Sequence, residues 1–157
     1  MNMPKLGDTM LLHVDIIVHD MERMLSFYCQ NLGLKKVEDV VVKGEAPIFL
    51  SNRCYNEYRL VLLKNHYSYT MIELLQFLPK SDTNMASTNV TLTFWTPSLA
   101  KKAEELSHKG VYPVSNEIGV SLPAIGSSII QFYRDPENNL VEFLEMKGEK
   151  NESTSKH

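Results

Sequence analysis

The chain has 157 residues, 43% of them hydrophobic and 22% charged, enough to bury a sizeable core and unlike the composition of a disordered chain. Its 16 basic residues are scattered among 19 acidic ones for a formal charge of -3, which leaves no electrostatic footprint for nucleic acid. No apolar run approaches the roughly 20 residues of a membrane span, the start MNMPKLGDTM lacks the order of a signal peptide, and Cys29 and Cys54 form neither a disulfide framework nor a zinc spacing, so a cytoplasmic protein with reduced thiols and no membrane partner is expected.

Leu11 to Val18, LLHVDIIV, is rich in β-branched residues and predicts a strand. Asp20 then serves as N-cap of a helix whose apolar face is Met24, Leu25, Tyr28 and Leu32, and Gly33 stops it. Three strand-like runs follow, around Val37–Val42, Tyr58–Leu63 and Thr70–Phe77. The long connection from Gly44 to Glu57, with Cys54 and Tyr55, reads as a loop. The order is βαβββ.

Residues 80–88 read as a linker, after which the pattern restarts at Asn89. NVTLTF is a strand; Thr96 and Pro97 suit the N-cap and first position of a helix with Leu99, Ala103 and Leu106 on one face, and Gly110 ends it. Further strands fit Tyr112–Ile118, Ser128–Tyr133 and Leu140–Met146. Residues 147–157 lack apolar content and read as a disordered tail. His13 and Asn89 begin the two first strands 76 residues apart, Gly33 and Gly110 end the helices 77 apart, and Met71–Gln76 reads against Leu140–Glu145. The expected fold class is α+β, with two tandem modules: 11–79 and 89–146.

Strand side chains alternate between faces, which sorts the chemistry. With Val14, Ile16 and Val18 under the helix, His13, Asp15 and Ile17 take the open face. By the same parity Glu73, Leu75 and Phe77 are on the open side of the fourth strand, and Glu142 with Leu144 on that of the last. Val90, Leu92 and Phe94 pack inward, leaving Asn89, Thr91, Thr93 and Trp95 to line a cleft wall. A carboxylate in an apolar closing strand has to be solvated, paired or metal-bound, so Glu73 and Glu142 are candidate functional residues. His19, His66 and His108 fall at element borders and read as solvated. Cys54 has no visible base partner for nucleophilic work.

His13-Val14-Asp15-Ile16-Ile17-Val18 followed by a capped helix with Phe27-Tyr28, and Phe132-Tyr133-Arg134-Asp135-Pro136-Glu137-Asn138-Asn139-Leu140-Val141-Glu142, resemble the vicinal-oxygen-chelate superfamily of glyoxalases, bleomycin resistance proteins and extradiol dioxygenases. The resemblance covers about residues 11–146, with Asn138 where glycine is usual. It implies curved mixed sheets around a cleft, with the family's metal-ligand positions falling on His13, Glu73, Asn89 and Glu142. It also implies a divalent metal, Ni, Co, Zn, Mn or Fe, and a small-molecule substrate or ligand. Asn89 stands where glyoxalase I and methylmalonyl-CoA epimerase have histidine, so that position is a fourth ligand or a substrate contact.

Two readings follow from the resemblance. One is a metal-dependent lyase or isomerase moving a proton next to a carbonyl, with Glu73 or Glu142 as general base. The other is a metal-free module that binds or sequesters a small molecule such as an antibiotic. Extradiol ring cleavage, which needs two histidines and a carboxylate, ranks last. A homodimer is expected by analogy, with the cleft closed within one chain or across two.

Overall fold

The computed structural model describes residues 13–68, 70–80, 90–122 and 126–148. Residues 81–88 of the expected linker, Asn89 and the expected tail from residue 149 on lie outside the described residues. The chain divides into two compact units, one up to Thr88 and one from Asn89. Each is built on one four-stranded mixed sheet, so the fold is two tandem βαβββ modules.

The first module runs β1 (His13–Ile17), α1 (Met21–Leu25), β2 (Lys35–Lys43), α2 (Glu45–Leu50), β3 (Glu57–Lys64) and β4 (Met71–Leu78), with strands in the order β1-β4-β3-β2. β1 pairs with β4 in parallel, and the other two pairings are antiparallel. Asp20 caps α1 by accepting from the Arg23 amide at 3.2 Å, as its position before the apolar stretch predicts. That hydrogen bond holds the Asp20 carboxyl below its ordinary pKa. The helix then widens into a π-helical turn, Ser26–Asn31, with Leu32 donating five residues back to the Phe27 carbonyl, before Gly33 turns out at φ +79°.

The wider turn moves the buried stripe off the α-helical spacing. Met21, Met24, Phe27 and Tyr28 are buried, while the expected Leu25 and Leu32 are half-exposed. The stripe lies on the face that carries Ile16, Val18, Val61, Leu63, Ile72 and Leu74, all buried. On that face Arg59 of β3 donates to Asp39 of β2 at 2.8 and 2.9 Å and to Glu22 of α1 at 2.6 Å, tying helix to sheet.

The connection from Gly44 to Glu57 is more than a loop. It contains α2, and the Tyr55 ring that follows stacks on Phe77 at 5.4 Å. Leu75 and Phe77, expected on the open side, are therefore covered: with Tyr58 they form a buried cluster packed by Ile17, Val42, Tyr55 and Leu60. The open face is roofed at one end and left free at the end that holds His13.

The second module runs β5 (Thr91–Trp95), α3 (Leu99–Ser107), β6 (Ile118–Leu122), β7 (Gly126–Arg134) and β8 (Leu140–Met146), in the same topology, β5-β8-β7-β6. Two expectations are corrected here. The N-cap of α3 is Ser98, accepting from the Lys101 amide at 3.3 Å, because Thr96 still belongs to the ladder and donates to the Leu144 carbonyl at 2.9 Å. The strand expected at Tyr112–Ile118 starts only at Ile118. Pro113 has no N–H to offer, and the Ser115 hydroxyl intercepts the Phe132 amide at 3.0 Å that a strand would have used. Buried Leu99, Leu106, Tyr133, Val141 and Phe143 make this module's core.

Candidate functional site

The β1–β4 ladder decides what meets what. His13 lies across from Met71 and Asp15 across from Glu73, so three polar side chains share the open face within two rungs. His13 Nε2 is 3.2 Å from Asp15 Oδ1 and 3.9 Å from Glu73 Oε2. One ligand atom from each of the three falls within 4.8 Å of the others, the one such group of His, Cys, Asp or Glu among the described residues. The Glu73 side chain is 14% exposed, against 36% for His13 and 42% for Asp15. The deep member is thus a carboxylate and the outer two are wet.

Burial pushes the Glu73 carboxyl above its ordinary pKa, the negative charge of Asp15 adds to the push, and His13 opposes it. Two carboxylates and an imidazole this close, one of them partly desolvated, suit a divalent cation better than one another. A cation would relieve the Asp15–Glu73 repulsion and the burial penalty together. Half-exposure on one side leaves coordination positions for solvent or a ligand. The donor set fits a divalent metal of the N/O-binding kind, held by His13, Asp15 and Glu73.

Asp15 enters the candidate donor set in a stronger role than its sequence position suggested. Parity put it only on the face of His13; the parallel pairing with β4, invisible in the sequence, puts it beside Glu73.

In the second module Glu142 is on the open face as its parity predicts, half-buried, and accepts from Thr93 Oγ1 at 3.3 Å. Thr91 lies across from Leu140 and Thr93 across from Glu142. Superposing the modules on their acidic rungs therefore puts Thr91 and Thr93 where the first module has His13 and Asp15, 78 residues on rather than 76. Counting from strand starts slipped the comparison by one full pleat, which preserves the face and hides the error. Asn89 lies two residues before Thr91 and outside the described residues. Trp95, Leu144, Ile130 and Ile118 form the next row across this sheet, with Trp95 66% exposed.

A model of the family described as Glyoxalase/Bleomycin resistance protein/Dioxygenase superfamily matches residues 10–143. Comparison with curated protein sequences returns no match. Among solved structures, a glyoxalase family protein from Bacillus cereus is similar at 19% identity and a TM-score of 0.66, over 92% of this chain and 100% of that one. TnmS3, an antibiotic binding protein from Streptomyces sp. CB03234, is similar at 15% identity and a TM-score of 0.65, over 90% and 98%. A glyoxalase I mutant from Zea mays is similar at 16% identity and a TM-score of 0.59, over 88% of this chain and 46% of that one. At these identities the likeness is one of fold. Among the described residues no helix is long and apolar enough to cross a membrane.

Proposed function

Because the chain belongs to the Glyoxalase/Bleomycin resistance protein/Dioxygenase superfamily, we propose that it is a metal-dependent lyase or isomerase that moves a proton on carbon next to a carbonyl of a small molecule. The observation that carries this reading is the approach of His13, Asp15 and Glu73 within 4.8 Å on the free end of the first sheet. A divalent cation, Ni, Co, Zn, Mn or Fe, bound there supplies Lewis-acid polarisation of a carbonyl oxygen.

The side chains do the rest. His13 and Asp15 anchor the site from β1, where Nε2 and Oδ1 lie 3.2 Å apart. Glu73 is the base: its carboxylate, the most withdrawn from water of the three, faces the open side of the sheet where a substrate carbon can approach. Glu142, held by Thr93, is the second acid–base group. Asn89, upstream of β5, is an oxygen donor to substrate rather than a strong ligand, since a neutral amide binds transition metals poorly.

Proton exchange tests this directly. Metal-loaded protein in deuterated water is incubated with a panel of 2-hydroxy- and 2-oxo-carbonyl compounds and followed by NMR. Deuterium is expected to enter the carbon next to the carbonyl of at least one compound, at a rate cut at least a hundredfold (roughly 10²) by Glu73→Ala or Glu142→Ala. Full retention of exchange in Glu142→Ala removes that residue from the mechanism.

The second reading, a metal-free module that binds a small molecule, is favoured by one observation: beside Glu142 the second module offers threonines in the places of His13 and Asp15. TnmS3, similar in fold, is an antibiotic binding protein. Absence of exchange with every compound, together with protein that takes up no cation, supports that reading.

A further inference from the structure

Tyr58 is the second residue of β3 and lies across from Phe77, on the same sheet face as Glu73. Its ring is 5% exposed, set edge-on to Phe77 at 5.9 Å and in one cluster with Leu75, the open-face residue between Phe77 and Glu73 on β4. Apolar neighbours hold the ring, and a buried phenol is expected to find a hydrogen-bond partner for its hydroxyl. Among the described residues no acceptor is seen for it. A donor fixed by packing and uncommitted among the described residues sits on the face that carries the acidic site.

The charges of Glu73 and then Asp15 act on the phenol in addition to its burial, and all three push its pKa upward. The phenol is thus in electrostatic reach of the site and keeps its proton throughout the neutral range. As a neutral hydroxyl it can donate to an oxygen acceptor and leaves the local charge unchanged.

We propose that Tyr58 donates a hydrogen bond to an oxygen of the small molecule held at His13, Asp15 and Glu73. The inference rests on the reading of that trio as a cation site and deepens it. It makes the ligand a compound with at least two acceptor oxygens, one for the cation and one for the phenol. Tyr58 then selects against ligands that present an apolar group at that point, because a buried hydroxyl left without a partner costs more than a satisfied one gains.

The test uses acetohydroxamate, which carries two adjacent oxygens, and cobalt(II), whose visible spectrum reports its coordination. Chelator-treated full-length protein is loaded with cobalt(II), and the spectrum is followed as acetohydroxamate is added, for the native chain and for Tyr58→Phe. The substitution keeps the ring and removes only the hydroxyl. Cobalt affinity and melting temperature are expected to match in the two proteins, while acetohydroxamate binds roughly three- to tenfold more weakly to Tyr58→Phe. Equal acetohydroxamate affinity in cobalt-loaded native and variant proteins overturns the role of Tyr58 and leaves the cation site standing. A variant that loses cobalt affinity shows that the phenol supports the site rather than the ligand, which also overturns it. Native protein that takes up no cobalt overturns the cation site, and this inference with it.

Discussion

Glu73 sits in a strand that is apolar on both sides, with Ile72, Leu74 and Leu75 all buried around it. A carboxylate in such surroundings is costly unless something compensates it. What compensates it is local: a wet rim made by His13 and Asp15, one of which opposes the burial effect and the other of which worsens it. Asp15 is therefore the residue that separates two accounts of the cluster. If it only orients His13, its charge is dispensable; if it is a ligand, the charge is the point. Asp15→Asn preserves shape and hydrogen bonding, and is expected to weaken cobalt(II) binding by about tenfold or more, with little change in melting temperature. A variant that binds cobalt as tightly as the native chain assigns Asp15 to orientation alone.

At the scale of elements, β2 is an edge strand with exposed valines, and what ties it to the module is charge as much as packing. Arg59 of β3 reaches both Asp39 of β2 and Glu22 of α1, and its guanidinium, ahead of Lys36, holds the Asp39 carboxyl well below the usual carboxylate range despite partial burial. The sign follows from linkage. A carboxyl with a lowered folded-state pKa adds stability at pH values above its unfolded value of about 4, and that contribution fades as pH falls below it toward the folded value. Asp39→Asn is expected to lower the melting temperature at neutral pH and to flatten its fall between about pH 5 and 3. Parallel pH profiles for native and variant proteins, merely offset, mean that the carboxylate charge is not what matters.

Elements were also where sequence and structure agreed best and parted most instructively. Alternation put His13, Asp15, Glu73 and Glu142 on open faces, because the two-residue period of a strand survives any error in its ends. Register was out of reach: which rung faces which depends on long-range pairing, so the partnership of Asp15 with Glu73 and the equivalence of Thr91 with His13 emerged only from the ladders. The π-helical turn rotated the buried stripe of the first helix away from its α-helical spacing. Tyr55 folding back on Phe77 closed part of a face that local pattern read as open.

At the scale of the whole molecule, one architecture occurs twice with different chemistry. Both modules have the same strand order and one acidic residue on the open face of the closing strand, Glu73 or Glu142. The first surrounds its acid with an imidazole and a second carboxylate, the second with threonine hydroxyls and a row of apolar side chains ending in Trp95. The repeat was legible in the sequence because caps, glycine stops and closing strands recur. The asymmetry was half-legible, since the residue types were visible but their places were misaligned by two. On this account the two copies differ in what they can hold, and the cation donor set belongs to the first.

The metal content of chelator-free protein tests that difference. One divalent cation per chain is expected in the native protein by elemental analysis, retained in Thr93→Ala and lost in His13→Ala. Native protein with no bound or exchangeable cation, or His13→Ala that keeps its full complement, contradicts the account.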